Sequence, residues 1–368
     1  MFNKYRLRNY NFKLIIFVLT LAIIGVMAVS SADESLYTKQ LWGVVVGTVI
    51  MVILSLFDYN LLLKLYWIYY GANTVLLFMV IFIGEETNNA QRWINILGIR
   101  FQPSEIAKLL IILFFAMFIM KHEEDFNSII YVLISIVLFA VPAALVYKQP
   151  DLSTTVMLTL IFAVIMFAGN LSYRFILAVV SVAVPVFLIM IYLIMQPDQK
   201  IVSDYQKGRI MAFFNKEDSA NDEGYQQTYS VMAIGSGQLS GKGFRNNEIY
   251  SVKNADFIAE QQTDFIFAVI GEEFGFLGTC SVILLSFLIA IECFMTSFKA
   301  SNTAGKIIAA GIGAALGFQS FINIGVVTYI LPNTGLPLPF VSYGLTSLIV
   351  SFASIGFVLN VGLQTDSK

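Results

Sequence analysis

The chain has 368 residues, of which 58% are apolar and only 12% charged, with 32 Phe and a net charge of -2. Against a usual charged share of about a quarter, this leaves too little polar side chain to cover a soluble core, and it excludes a disordered chain or a fibrous repeat. The slightly negative balance argues against nucleic acid as a partner. Long apolar runs, rather than short alternating strands, predict an all-α polytopic membrane protein.

Charge-free runs extend from Leu14 to Ala32, Gln40 to Phe57, Leu65 to Gly84, Phe126 to Tyr147, Leu152 to Tyr173 and Phe175 to Pro197. Each approaches the roughly 20 residues that a spanning helix needs. The run from Leu109 to Met120 extends back through Lys108 and Glu105 to Pro103, and another covers Phe274 to Ile291. The last, Ile307 to Thr365, has 59 residues without a charge and contains Pro332, Pro337 and Pro339, so it divides into two. Ten transmembrane helices result, and residues 1–368 read as a single transmembrane domain.

Lys and Arg placement sets the orientation. With the N-terminus in the cytosol, ten basic residues fall in cytosolic segments (Lys4, Arg6, Arg8, Lys13, Lys64, Lys121, Arg174, Lys299, Lys306 and Lys368) and four in short outer loops (Lys39, Arg92, Arg100 and Lys148). Both termini are therefore expected inside, and the long loop from about 196 to 264 is expected to be extracellular. Asn221 and Asn247 would lie outside, Asn127 and Asn302 inside. The first run lacks a small-residue cleavage site and reads as a retained span. The acidic stretch Lys216–Gly224 suggests a mobile excursion, and the apolar spacing from Gln226 to Leu239 suggests a helix along the membrane surface.

Cysteine and histidine offer little chemistry. Cys280 and Cys293 share one apolar stretch, about 20 Å apart if helical, too far for a disulfide. No C-x-x-C occurs, and His122 is the single histidine.

Five polar segments fall on the side assigned to the outside. Asn89 to Trp93 leads to Gln102-Pro103-Ser104-Glu105, with Ser104 a reasonable helix cap. Glu105 and Lys108 share a helix face as an ion pair, unless Lys108 snorkels outward. Asp151, after Pro150 and before Ser153 and Thr154, reads as a helix cap or a cavity carboxylate. Gly235 to Gly243 fails as a P-loop, because its spacing is one residue short and no Ser/Thr follows Lys242. A flexible turn or a glycine-amide phosphate cradle remains. Asp264 stands where the charged loop meets an apolar helix, as a cap or a site residue. Glu272 and Glu273, two turns deeper, need partners or water. Pro332 to Gly344 reads as a re-entrant loop lining a pocket, or a tight turn.

The runs Arg92-Trp93, Phe101-Gln102-Pro103-Ser104-Glu105 with Lys108, Pro150-Asp151-Leu152, Ala233-Ile234-Gly235-Ser236-Gly237, Thr263-Asp264-Phe265-Ile266-Phe267 and Gly335 through Gly344 closely resemble the SEDS family, the RodA, FtsW and SpoVE group of bacterial cell-wall proteins. They follow the family order over nearly the whole chain. Gln262 departs from the pattern where His is frequent, and Ser153 and Leu345 where Gly is frequent. The resemblance implies a peptidoglycan glycosyltransferase in the bacterial cytoplasmic membrane. It would polymerise lipid II with the active site facing outside, beside a class B penicillin-binding protein as partner.

On that resemblance Asp264 is the catalytic carboxylate. Arg92, Gln102, Ser104, Glu105, Lys108, Asp151, Thr263, Ser342 and Tyr343 would bind substrate. A lipid-linked pyrophosphate is already a good leaving group and needs cations, whereas the acceptor 4-hydroxyl needs a base. Arg92 and Lys108 would offset phosphate charge, with Glu105 holding Lys108. A divalent cation, Mg or Mn, is compatible with this chemistry, and no metal ligand set can be named from the residues. A lipid II flippase needs polar groups in both leaflets and a mere scaffold needs no polar cavity, so the outward polar segments favour the enzyme.

Overall fold

The computed structural model describes residues 7–87, 90–96, 99–194, 196, 204–214, 222–245, 258 and 260–365. Each of the ten expected spans falls on a helix: α1 (Phe12–Ala32), α2 (Tyr37–Leu56), α4 (Tyr66–Ile83), α5 (Pro103–Lys121), α6 (Ile129–Lys148), α7 (Leu152–Ala168), α8 (Tyr173–Ile194), α11 (Ile266–Lys299), α12 (Thr303–Val327) and α13 (Leu345–Leu363). Short α3 (Tyr59–Leu63) precedes α4, and α9 (Asp204–Phe214) and α10 (Asp222–Ser236) occupy the long loop. Among the described residues, eight helices are long and apolar enough to cross a membrane, while α7 with 17 residues is a shorter apolar helix. Asn89, Asn221, Asn247 and most of the acidic stretch 216–224 lie outside the described residues.

The helices divide into an inner and an outer set. In α5, α12 and α13 the apolar window is 78%, 67% and 78% buried, against 22–39% in the other candidate spans. The inner three pack on one another, with α7 against α5 and α12, and α2 along α13. The outer helices turn large apolar side chains outward, among them Trp42, Val49, Ile68, Phe82 and Phe287. A helix apolar on its outer face suits lipid as its solvent. The buried polar side chains of the inner set include Glu105, Lys108, Gln319 and Asn323.

Three expectations are corrected. The fold is mostly helical but not all-α: β1 (Glu85–Thr87), β2 (Ala90–Ile96) and β3 (Ile99–Phe101) form a small antiparallel sheet in the order β1-β2-β3. Its register pairs Glu85 with Trp93, and Asn95 with Arg100. Ser104 is not the cap of α5. Pro103 takes the first helical position, where its missing N–H is harmless, so Gln102 is the cap residue and makes no side-chain cap bond. The apolar spacing of 226–239 does fall largely on a helix, α10, which packs on the end of the bundle: Gln227 Nε2 donates to the carbonyls of Val326 (2.7 Å) and Leu331 (2.9 Å), and Ser230 Oγ to that of Val327 (2.7 Å). Val326 and Val327 close α12, where the last carbonyls run out of i+4 amide partners, and Leu331 lies just beyond its end.

The third correction concerns α11 and the glycine-rich segment before it. The helix starts at Ile266, two residues after Asp264, where the loop was expected to meet it, and is broken at Gly275, whose φ of 62° and ψ of -156° are open to glycine alone among ordinary residues. The glycine-rich segment after α10 closes the break. Lys242 N–H donates to Glu272 C=O (2.9 Å) and Gly243 N–H to Glu273 C=O (3.0 Å), while Phe276 and Leu277 N–H donate to Gln238 and Leu239 C=O (2.8 and 3.2 Å). Gly241 must lack a side chain here, since a Cβ would stand 2.0 Å from the Glu273 oxygen. The segment is a fixed splice rather than a flexible turn, and the amides of Lys242 and Gly243 are committed to the helix instead of a phosphate. Lys242 Nζ pairs with Glu272 at 2.7 Å and Ser31 Oγ donates to Glu273, so both deep carboxylates have partners.

Candidate active site

Three separate stretches converge at one end of the inner helices. From β2, Arg92 reaches the start of α7, donating to Pro150 C=O (2.5 Å) with Nε 3.8 Å from Asp151. Asp151 is 2% exposed and caps α7, accepting from Thr154 N–H (3.1 Å) and Thr154 Oγ1 (2.8 Å). It is therefore both a cap and an acidic neighbour of Arg92.

Asp264 lies in the turn before α11 and does not cap it. The cap residue is Phe265, with no side-chain cap bond. The half-buried Asp264 carboxylate is thus free of any helix-ending duty. Gly335, at φ 70°, lies beside it: a Cβ built there would stand 3.3 Å from Asp264 Oδ2 and 3.6 Å from Arg209 Nη1. Arg209, on α9, is a site residue that sequence reasoning missed. Burial pushes the Asp264 carboxyl up to about 6. Arg209 and Arg92 pull it down, and Glu260 and Asp151 push it up. A carboxyl so placed is ionised at neutral pH yet basic enough to accept a proton.

The segment Pro332–Gly344 forms the wall beside Asp264. Leu336, Leu338, Phe340 and Val341 are buried, as irregular backbone at membrane depth must be. Ser342 Oγ accepts from Leu338 N–H (2.7 Å) and donates to Thr263 C=O (2.6 Å). Tyr343 N–H donates to Gln262 C=O (2.9 Å) and Ser153 Oγ to Thr334 C=O (2.8 Å). Ser342, Tyr343 and Thr263 thus clamp the wall to the Asp264 turn.

Behind the wall stands a buried ion pair. Lys108 Nζ donates to Glu105 at 2.8 Å and to Gln319 Oε1 at 2.6 Å, with Glu105 2% and Lys108 5% exposed. Lys108 points inward and does not snorkel. Ser104 is buried beside this pair, and Gln102 precedes it at the helix start. A small cavity lined by Glu105, Lys108, Gln319, Ser351 and Ser354 lies on its inner side. Among the described residues no three His, Cys, Asp or Glu side chains converge as a metal cage.

With this geometry in place, the comparisons are decisive. The family model of FtsW, RodA and SpoVE, described as cell cycle protein, matches residues 9–367. The chain belongs to this family. Within it, the chain is 33% identical over 345 residues to the peptidoglycan glycosyltransferase MrdB of Escherichia coli K12, covering 94% of this chain and 90% of that one. It is 30% identical over 382 residues to the probable peptidoglycan glycosyltransferase FtsW of Geobacter metallireducens, covering 98% and 97%. The crystal structure of the rod shape determining protein RodA of Thermus thermophilus matches with a TM-score of 0.72 at 25% identity over 98% of both chains. A chain of a peptidoglycan synthase complex, solved in a study of polymerisation and crosslinking, matches with a TM-score of 0.79 at 25% identity over 96% of this chain and 97% of that one.

Proposed function

We propose that this peptidoglycan glycosyltransferase polymerises lipid II on the outer face of the bacterial cytoplasmic membrane, with Asp264 as general base. The observation that carries the reading is the Asp264 carboxylate itself: half-buried, released from capping, and set beside Arg209 and Arg92. The 4-hydroxyl of the acceptor GlcNAc attacks C1 of the lipid-linked sugar, Asp264 takes its proton, and the glycosyl–phosphate bond breaks. The electron pair leaves with the pyrophosphate, whose charge Arg92 and Arg209 offset. One base and fixed cations suffice, because the leaving group needs no proton.

In this reading Asp151 orients Arg92, and Glu105 holds Lys108, whose charge acts from behind the wall rather than by contact. Gln102, Thr263 and Tyr343 shape the acceptor side, while the buried Ser104 and Ser342 act through the packing of α5 and of the wall. A divalent cation such as Mg or Mn would come with the substrate phosphates, whose charge it would help to neutralise; among the described residues no three His, Cys, Asp or Glu side chains form a ligand set for it, and no step above depends on it. The same reading has ten spans, cytosolic termini and an extracellular loop at about 196–264, with the site on the outer side, as the distribution of Lys and Arg supports. A class B penicillin-binding protein is the proposed partner that crosslinks the product, a reading supported by the match to a synthase complex.

Asp264→Asn tests the assignment. It preserves shape and removes the proton acceptor, so turnover of purified protein on lipid II should fall roughly 10²–10⁴-fold with thermal stability retained. A folded variant within a few-fold of wild type would transfer the role to Asp151.

A further inference from the structure

Two amides one turn apart on α12 connect parts of the site that the sequence keeps far apart. Asn323 is 1% exposed, and its Nδ2 forks two carbonyls, Asp264 C=O and Leu336 C=O, both at 2.7 Å. Gln319 is 4% exposed; its Oε1 accepts from Lys108 (2.6 Å) and its Nε2 donates to Pro337 C=O (2.9 Å). Residues at i and i+4 lie on one helix face. A single stripe of α12 therefore grips the Asp264 turn, two consecutive carbonyls of the wall, and the buried cation of α5.

The buried Oδ1 of Asn323 makes no hydrogen bond with the described residues. An orphaned buried acceptor is unfavourable by about 1–3 kcal/mol, so a purely packed position would be better served by Leu. What Asn supplies here is the forked donor. Irregular backbone has no ladder of its own to fix it, so its carbonyls take their position from such donors.

We propose that Asn323 and Gln319 are positioning residues for glycosyl transfer, fixing the Asp264 turn and the 332–344 wall to the Lys108 side of the bundle so that the carboxylate stays recessed beside Arg209. The proposal rests on Asp264 being the base. The groups facing that carboxylate are Arg209 from α9, Arg92 from β2, Asp151 at the start of α7, and Glu260 within its own turn. Without the Asn323 fork the turn relaxes toward solvent, and the carboxylate loses the burial that raises its proton affinity. A displacement of about 1 Å suffices to cost on the order of 10²-fold in rate.

The experiment is a pH–rate profile of the full-length protein on lipid II for wild type, Asn323→Leu and Gln319→Met, beside thermal unfolding of each. Wild type should lose activity on its acidic limb near pH 6, where Asp264 takes up its proton. In Asn323→Leu, kcat should fall ten- to hundredfold with KM within about threefold, and the limb should move down toward the ordinary carboxylate range. Gln319→Met should move it in the same direction by less, and it carries the test alone where Asn323→Leu does not fold. A limb fixed at the wild-type pH, with kcat falling only in step with thermal stability, would overturn the positioning role. A wild-type profile without this limb, together with an active Asp264→Asn, would instead remove Asp264 as the base and the proposal with it.

Discussion

Separating the charges of Glu105 and Lys108 gives the sharpest energetic test of the inner bundle. Both side chains are almost wholly buried and meet at 2.8 Å, but they are not equivalent. Lys108→Met strands a buried carboxylate, for which the usual penalty is about 3–5 kcal/mol. Glu105→Gln leaves Lys108 its 2.6 Å bond to Gln319 and offers a neutral acceptor, so the loss should be nearer that of one charged hydrogen bond, about 1.5–3 kcal/mol. Removing both charges leaves no stranded ion, and the double variant should be more stable than Lys108→Met alone. Unfolding free energies of the four proteins in one detergent, with polymerisation measured alongside, give the coupling directly. Additivity of the two single losses to within about 0.5 kcal/mol, or a Glu105→Gln loss larger than that of Lys108→Met, would refute the reasoning.

Arg209→Met should weaken lipid II binding and move the acidic limb of the pH–rate profile upward, since that guanidinium pulls the Asp264 carboxyl down; a limb that stays or falls contradicts the placement. Gly335→Ala forces a side chain onto a φ of 70°, destabilising the protein by roughly 1–2 kcal/mol, and fills the gap between Asp264 and Arg209. Its polymerisation rate should drop at least tenfold, and a near-normal rate would show that substrate does not use that space. Single cysteines at 221 and 127, in a background without Cys280 and Cys293, should label with an impermeant thiol reagent in intact cells at 221 only; labelling at 127 alone reverses the orientation.

Most of the helices were legible because their sequence is a long run without charge, with Lys or Arg at one end. Glu272 and Glu273 showed in the sequence that partners were needed at their depth in α11, but not which: Lys242 and Ser31 come from distant segments. The small sheet had a signal in Trp93-Ile94-Asn95-Ile96 and Ile99-Arg100-Phe101, aromatic and β-branched residues around Gly98, which polarity nearby outweighed. Motif residues in the site were found, but their neighbours were not. Arg209 meets Asp264 only because α9 returns to the bundle, a non-local fact with no local periodicity. Gln319 and Asn323 did leave a trace: two amides four apart in a 59-residue stretch without charge are expensive unless they bond to something.

The splice at Gly275 gives a stretch of apparent linker the dimensional tolerance of a strand. Its four main-chain bonds join residues 238, 239, 242 and 243 to 276, 277, 272 and 273. One residue added between Gln238 and Leu239, or lost between Leu239 and Lys242, would put the donors and acceptors of the two segments out of step and leave main-chain groups on both without partners. Deletion and insertion scanning would therefore meet a sharp boundary here, in a region whose glycines suggest slack, and the length of this connection is as quantised as the pitch of the helix it repairs.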